Sequence, residues 1–295
     1  MSAPRVAGVL SVLMLLSWQP ANVNLLCGQE QVPSVRVLQD TTLIQVVKLR
    51  DGTTWEGRVI AVEGDWVRFM TLGGVEVRFR SADVASVREV RGVRGGARLW
   101  RRDPSDSRLF LAPTARVPES GHGYFGVYEL FFPSAAVGIA GFAMISGGVS
   151  IFPGISLSDQ IFYIAPKIRF LQIDVVSAAV ALVWVRPGDA DESAGMVYGA
   201  LTAGSETASF TGGIAFPFVS DTGFSDEPVP VLGGEFRVSK ALKLMTENWI
   251  SLAEGGALLS LGGRVISGQF TAELAGVLPT EGDFVLPVVN VSFGW

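Results

Sequence analysis

Cysteine and histidine are almost missing from this chain. Its 295 residues include one cysteine, Cys27, and one histidine, His122. A single cysteine cannot form an internal disulfide bond, and the two residues together cannot supply the ligands of a zinc site. The sequence also lacks a phosphate-binding glycine loop with its lysine, and the strand–serine–helix turn of hydrolases. We therefore expect no enzyme activity, no cofactor and no metal.

A long apolar run is missing as well. Hydrophobic residues make up 48% of the chain, yet past the amino-terminal segment no stretch approaches the ~20 apolar residues of a membrane helix. The apolar residues come in pieces of about ten, which is typical of membrane β-strands. The 35 glycines and 10% aromatic residues agree with many tight turns and amphipathic strands. The composition therefore predicts an all-β protein.

Residues 1–27 are typical of a signal peptide for export. Arg5 provides a positive charge, and Val6 to Trp18 form an apolar core of suitable length. The cleavage site stays open, because no small-x-small triplet is well placed. Leu26 precedes Cys27 where a lipoprotein motif has Gly or Ala, which favours an incidental cysteine over a lipid anchor.

The net charge of −5 is divided unevenly. Residues 42–103 carry 12 Lys and Arg against 8 Asp and Glu, a net of +4. Residues 104–295 carry 9 against 18, a net of −9. Two electrostatically different parts predict two domains.

Residues 38–92 predict a small β-domain. Short apolar segments alternate there with turn signals such as Asp51-Gly52 and Gly73-Gly74. Five short strands in about 50 residues suit a small SH3-like barrel. We place these strands at 43–49, 55–62, 66–72, 75–79 and 84–90.

The same region resembles a known family. Residues 49–59, followed by Asp65, resemble the first motif of Sm-like domains, chiefly through Gly52 and Gly57. The resemblance implies a small barrel with a strongly bent strand. Sm-like proteins bind RNA through an asparagine shortly after the conserved Asp, whereas residues 67–69 are Val-Arg-Phe here. With an export signal in addition, we expect no nucleic-acid partner.

A basic segment follows, and we predict a solvated, flexible linker over residues 93–104. The alternative is contact with anionic lipid headgroups or cell-wall polymer, where each cation contributes about 1 kcal/mol. The arginines of this region are Arg88, Arg91, Arg94, Arg98, Arg101 and Arg102.

Residues 105–295 predict an antiparallel transmembrane β-barrel of about twelve strands. Most segments approach the 9–11 residues with which a tilted strand crosses a bilayer. An even number of strands places both ends of the barrel on the periplasmic side. The predicted strands are 108–117, 123–132, 137–152, 160–171, 174–185, 194–203, 208–219, 229–238, 242–252, 257–266, 269–278 and 284–295.

The last strand carries a second resemblance. Val289, Val291, Phe293 and Trp295 share one face of a strand, with small or polar residues between them. This pattern resembles the closing strand of bacterial outer-membrane β-barrels. The resemblance implies location in the outer membrane, recognition by the barrel-assembly machinery, and contact with outer-membrane lipid and lipopolysaccharide. The small domain would then lie in the periplasm, where we expect a protein or cell-wall partner.

Acidic residues cluster in the links that follow odd-numbered predicted strands, which we expect outside the cell. Lys and Arg are nearly absent from these links. The links lie near Glu119, Asp159, Asp189 to Glu192, Asp221 to Glu227, Glu254, and Glu281 to Asp283.

Strand alternation also predicts which charges face the interior. Five cations and four anions nearly cancel, which favours an ion-pair network that fills the barrel. A narrow pore whose opposed charges orient a solute is the alternative, because twelve strands is an intermediate size. The predicted interior residues are Glu129, Lys167, Arg169, Glu235, Arg237, Lys243, Glu247, Arg264 and Glu273.

These patterns leave the function open between a structural or interaction protein and a passive-transport pore. A soluble, secreted two-domain β-protein with a binding role is a further alternative. Ser120 and His122 raise the least favoured one, an outer-membrane lipid hydrolase, but no third group orients them.

Overall fold

The computed structural model describes residues 35–41, 43–95, 98–188, 192–252, 255–282 and 284–295. The predicted signal peptide and Cys27 lie outside these residues. Val35–Trp295 form one compact unit, and apart from two short 3₁₀ turns its regular structure is β-strand. No helix in the described part of the chain is long and apolar enough to span a membrane.

The first sheet has six antiparallel strands in the order β4-β3-β2-β1-β5-β6, so the chain crosses over between β4 and β5. The five strands predicted from the sequence are all present, and Val47, Val59, Val67 and Phe69 form the centre of their core. Assignment of this sheet to the SH3-like or Sm-like folds stays a prediction. Its strands are β1 (Leu43–Leu49), β2 (Thr54–Glu63), β3 (Trp66–Thr71), β4 (Glu76–Arg80), β5 (Val84–Gly95) and β6 (Arg98–Arg101).

Gly57 lies on β2 where the backbone of β3 leaves no room for a side chain. A Cβ atom at this position would collide with the backbone carbonyl of Met70. The pairing of the two strands shifts register just beyond it, between Val59 and Ala61. The absence of a side chain at Gly57 therefore lets the neighbouring backbone pack against a bent strand.

The segment predicted as a flexible linker is largely strand. Strand β5 continues to Gly95, and β6 pairs back on it from Arg98 to Arg101. The guanidinium of Arg101 binds Glu56 of β2 at 2.5 Å. The prediction is therefore wrong for the described residues of 93–101, because backbone pairing and an ion pair tie this arginine-rich segment to the sheet.

The second sheet closes on itself. It has thirteen strands, of which the two-residue β14 is an extension beside β13, so the closed wall has twelve. Neighbours in sequence pair antiparallel, and β19 pairs with β7 to complete the barrel. The strands are β7 (Gly123–Tyr128), β8 (Phe132–Ile139), β9 (Ala143–Val149), β10 (Phe162–Ile173), β11 (Val176–Arg186), β12 (Ala194–Gly204), β13 (Ala208–Val219), β14 (Gly223–Phe224), β15 (Val229–Arg237), β16 (Leu242–Ile250), β17 (Ala257–Ser267), β18 (Phe270–Pro279) and β19 (Leu286–Gly294).

The predicted number of wall strands is correct, but two of the predicted segments are wrong. Residues 108–117 form no wall strand, and the only bridge there joins Arg108 to Pro113. Residues 123–152 hold three short strands instead of two. Tight turns separate these strands, and Glu129, Leu130 and Ala140 adopt positive φ in them. Such residues rarely take this conformation, so they do not predict a turn, and Gly141 beside Ala140 is the one recognisable turn residue of the two links.

The wall alternates as the sequence predicts, apolar outward and polar inward. On β10, Phe162, Ile164, Ile168 and Phe170 are exposed, while Lys167 between them is buried. The outward positions of the described wall strands carry one charged residue, Arg186, at the end of β11. The twelve strands therefore present a continuous apolar outer surface.

The two ends of the barrel differ in charge. The longer links, 150–161, 187–193, 220–228, 251–256 and 280–285, share one end with the turn 129–131, and none contains Lys or Arg. We call this the acidic end. The short links and the first sheet lie at the other, the sheet end. The prediction that Glu119 lies in one of the outer acidic links is wrong. Glu119 lies at the sheet end, 3.2 Å from Arg102.

Candidate functional site

A hairpin fills the inside of the barrel. The chain leaves β6, enters from the sheet end and turns at Leu109–Ala112, where the Leu109 amide donates to the Ala112 carbonyl at 2.9 Å. The two arms pair through the Thr114 amide and the Ser107 carbonyl, 3.0 Å apart. We call residues 103–117 the plug hairpin. Its buried residues are Asp103, Ser105, Asp106, Ser107, Arg108, Leu109, Phe110, Ala112, Thr114, Ala115, Arg116 and Val117.

Small wall residues make room for this hairpin. A Cβ atom at Gly233 of β15 would collide with the side chain of Leu109. Alanines occupy inward positions on β11, β12, β13 and β18, and they pack in one cluster with Leu109 and Phe110. These are Ala179, Ala181, Ala200, Ala215 and Ala275. The wall is therefore shaped around a filler that is not part of it.

The entry of the hairpin is fixed by a buried carboxylate. Asp103 Oδ2 lies 2.6 Å from Lys243 Nζ and 2.6 Å from Arg264 Nη1. Lys243 also binds Glu235 at 2.8 Å. All four side chains are 2% exposed or less, so each charge depends on its partners rather than on water.

Two arginines of the hairpin pair with the wall in turn. Arg108 binds Glu273 at 2.8 Å, and Arg116 binds Glu235 at 3.0 Å. Arg264 joins the same network through Glu273, at 2.7 Å. Charges of the hairpin and charges of the wall therefore alternate through the interior.

Uncharged groups of the hairpin complete the attachment. Lys167 Nζ donates to the backbone carbonyls of Ser107 at 2.7 Å and Thr114 at 3.0 Å, one on each arm. The Ser105 hydroxyl lies 2.8 Å from that of Ser292 on the closing strand. At the tip, Glu247 accepts the amide of Leu111 at 2.9 Å. Both arms and the tip are thus held to different strands.

The structure brings together most of the residues predicted to face the interior. Seven of them are buried inside the barrel: Lys167, Glu235, Arg237, Lys243, Glu247, Arg264 and Glu273. Glu129 and Arg169 are half-buried instead. Glu129 accepts the Val289 amide, and Arg169 donates to the Gly141 carbonyl.

Sequence reasoning missed the hairpin's own charges, Asp103, Asp106, Arg108 and Arg116. A signal was available, because Pro113 lies in the middle of the predicted strand 108–117. Proline cannot donate to a strand ladder and is rare in central strands. The signal is weak, however, because Pro166 lies in the middle of wall strand β10.

A second charged cluster surrounds Arg102 at the sheet end. Its guanidinium lies 3.1 Å from Asp106, 3.2 Å from Glu119 and 3.2 Å from Glu206. The nearby charge of Asp106 is the largest cause that holds the pKa of Arg102 above its ordinary value. Burial, reinforced by the charge of Asp106 and opposed by Arg102, raises the pKa of Glu206 to about 7.

The hydrolase alternative finds no geometric support. His122 is exposed, and its Nδ1 lies 3.3 Å from the backbone carbonyl of Ser120 rather than from its hydroxyl. Within the described ranges, no group of His, Cys, Asp and Glu side chains could hold a metal ion.

The closing strand has its aromatic residues on the outside. Phe293 and Trp295 are about half exposed, and the Trp295 indole donates to the Gly121 carbonyl at 3.1 Å. Asn290 and Ser292, between the apolar residues, are buried inside. The role of this strand in assembly stays a prediction.

No protein-family model matches the chain, and no curated protein matches its sequence. Among solved structures, the chain is similar to the KdgM porin in complex with disordered oligogalacturonate. The identity is 7% and the TM-score 0.42, over 59% of this chain and 95% of that one. It is also similar to a loop-deletion mutant of OmpT, an outer membrane protein of Vibrio cholerae, at 11% identity and a TM-score of 0.34 over 86% and 97% of the chains. OpdQ of Pseudomonas aeruginosa matches at 10% and 0.31, over 86% and 94%.

The variant Asp103→Asn tests the attachment of the hairpin. It leaves Lys243 and Arg264 buried without their shared carboxylate, so we expect the free energy of unfolding to fall by about 3–5 kcal/mol. Urea unfolding in lipid vesicles measures this change. Asp221→Asn, in an exposed link, is the control, for which we expect a change within about 0.5 kcal/mol. A loss below about 1 kcal/mol for Asp103→Asn would contradict the prediction.

The carboxyl of Glu206 predicts a pH dependence. Its pKa is about 7 in the folded protein and about 4.3 unfolded. A raised carboxyl pKa favours the folded state below pH 4.3, and this contribution is lost as pH rises toward 7. We expect a shallower fall of the unfolding free energy between pH 5 and pH 8 in Glu206→Gln than in the unmodified protein. Parallel curves for the two proteins would refute this.

Proposed function

We propose that the protein is an outer-membrane channel that the plug hairpin closes. The observation that carries this proposal is the filling of the barrel by a separate segment of chain. Where the hairpin lies, several inward wall residues are alanine or glycine, so a twelve-stranded wall would enclose a lumen without it. A barrel with a purely structural role could be filled by larger side chains of the wall and needs no separate filling segment.

The outer surface supports location in a membrane. A closed barrel pairs all its backbone groups between strands, as the hydrocarbon region of a bilayer requires. Exposed apolar residues cover its outside, from Phe162 on β10 to Phe293 on β19. A soluble secreted protein would expose this whole surface to water, which soluble monomers rarely do. We therefore propose outer-membrane lipid and lipopolysaccharide as the surroundings.

The topology supports one orientation. With an even number of strands, both ends of the wall lie on the periplasmic side. The sheet end then faces the periplasm, and the acidic end faces outward. The small sheet exposes Ile60, Val62, Trp66 and Val75, which suits a periplasmic protein or cell-wall partner. The aromatic residues of the closing strand face outward, which suits recognition by the barrel-assembly machinery.

The small sheet is joined directly to the plug hairpin. Strand β6 ends at Arg101, and the hairpin begins two residues later at Asp103. The Arg101 carbonyl accepts a hydrogen bond from Arg237 of the wall. The sheet and the hairpin are therefore continuous in the chain, and their junction is held to the barrel at Arg101 and Arg102. We propose that this connection moves the hairpin and opens the channel.

A disulfide between hairpin and wall tests the channel. The hydroxyls of Ser105 and Ser292 are 2.8 Å apart, so the double variant Ser105→Cys, Ser292→Cys is placed to form one when oxidised. We expect discrete conductance steps in planar bilayers for the unmodified protein and for the reduced variant. Oxidation should abolish the steps, and reduction should restore them.

Replacement of residues 103–118 by a short Gly-Ser segment is the complementary variant. We expect larger and more persistent conductance, because the filler is gone. Heat-modifiable gel migration verifies that the variant still forms a barrel. A folded variant without conductance would refute the channel and favour a structural role.

Leu261→Arg tests the membrane location. Leu261 lies near the middle of β17, faces outward and is 72% exposed. An arginine on the lipid face at mid-bilayer costs about 2–4 kcal/mol. We expect a loss of this size in vesicle unfolding, compared with Leu261→Ala. Equal stability of the two variants would contradict a lipid-facing position.

A further inference from the structure

The barrel interior changes character above the tip of the plug hairpin. Lys243, near the sheet end of β16, holds the hairpin's entry, and Glu247, further along the same strand, holds its tip. Trp249 comes next toward the acidic end. From this level to the rim, the inward residues of the described parts of β11 to β18 are apolar, whereas Tyr163 of β10 and Glu129 of the turn after β7 are polar. We call this space the vestibule.

The vestibule has an apolar floor. Leu111 at the hairpin tip is 56% exposed, although Phe110 and Ala112 on either side are buried. The backbone amide of Leu111 donates to Glu247, and the Leu111 side chain projects toward the acidic end. A leucine thus forms the surface that a molecule entering from that end meets first.

The walls of the vestibule are apolar as well. Met196, Val229, Trp249 and Val277 are half-buried and pack against the core cluster of the hairpin and wall. A cavity of about 330 Å³ at the rim has Val229, Trp249, Leu258 and Pro279 on its apolar side, and Ser251, Thr280 and Glu281 on its link side. This volume lies at the lower end of the range of ligand pockets, about 300–1,000 Å³.

No cation is available to a ligand at this depth. Inward positions of the described parts of β11 to β18 between Glu247 and the acidic end carry no charged side chain. Glu247 itself is occupied, since it accepts two hairpin amides and the Trp249 indole N–H at 2.7 Å. An anion would lose its hydration here without gaining a partner.

The charge of the rim also disfavours anions. Asp159, Asp221, Asp226, Glu227 and Glu281 lie in links at the acidic end, which contain no Lys or Arg. Their summed field repels anions before they reach the vestibule.

We propose that the vestibule binds small, uncharged, apolar molecules and rejects carboxylates of the same shape. Such molecules are the substrate class of the channel, and this part rests on the proposed function. Binding itself needs no movement of the hairpin, because Leu111 at its tip is exposed while the hairpin fills the barrel.

The experiment uses the full chain in lipid nanodiscs with a matched pair of probes. 1-Naphthol and 1-naphthoate share a ring system and differ in charge. We expect saturable calorimetric binding of 1-naphthol beyond its partition into empty nanodiscs, and at least tenfold weaker binding of 1-naphthoate. A tenfold difference corresponds to about 1.4 kcal/mol.

Isosteric variants locate the site. Val229→Thr combined with Val277→Thr adds two hydroxyls without a change of shape, and we expect about tenfold weaker 1-naphthol binding. Met196→Gln is a second wall variant with the same expected direction. Val75→Thr, at an exposed position of the small sheet, is the matched control and should bind like the unmodified protein.

Equal affinities for the two probes, or unchanged binding in both wall variants, would overturn the proposal. The outcome is separable from the channel itself. Binding of 1-naphthol to an oxidised, non-conducting Ser105→Cys, Ser292→Cys protein supports the vestibule whatever the channel does. Conductance without 1-naphthol binding would support the proposed channel and refute the proposed binding site in the vestibule.

Discussion

The pairing of buried charges between the wall and an inserted hairpin determines the interior of this molecule. Asp103 neutralises two wall cations, Lys243 and Arg264, at the point where the chain enters the barrel. Removal of either partner from such a pair leaves an uncompensated charge in a place with little water. The inward charges, the small wall residues and the path of residues 103–117 make physical sense only together.

The same pairing is compatible with movement. Buried ion pairs gain little over well-packed apolar side chains, because the desolvation of both charges offsets much of their attraction. When the hairpin leaves, water can enter and hydrate the freed charges, so the penalty of separation is smaller than in a dry interior. An apolar filler would have no such compensation and would expose its surface to water on opening. A polar attachment below an apolar tip therefore suits a plug that is stable but removable.

The wall could be predicted from the sequence to a large extent, because side-chain alternation in a strand is a local property. Lys243 and Glu247 on β16, or Phe270 and Leu274 on β18, reveal their faces without any knowledge of their neighbours. The hairpin could not be predicted in this way. Its residues alternate like a short strand, and its partners, such as Glu273, lie about 165 residues away. The turns between β7, β8 and β9 could not be predicted for a related reason. Tertiary pairing holds Glu129 and Ala140 in a conformation that their residue types disfavour.

Strands β7 and β9 have six and seven residues, about half the length of the twelve-residue β10. The wall is therefore shorter where these two strands lie. The link 150–161 stands above them and exposes Ile151, Ile155 and Leu157. Gln160 is buried beneath it and hydrogen-bonds the backbone of Phe152 in both directions and the carbonyl of Ile155. The amide side chain of Gln160 thus hydrogen-bonds backbone groups that a neighbouring strand would otherwise pair. The outer surface at this link therefore combines exposed apolar side chains with the exposed polar Ser156, Ser158 and Asp159, while Gln160 satisfies the backbone beneath them.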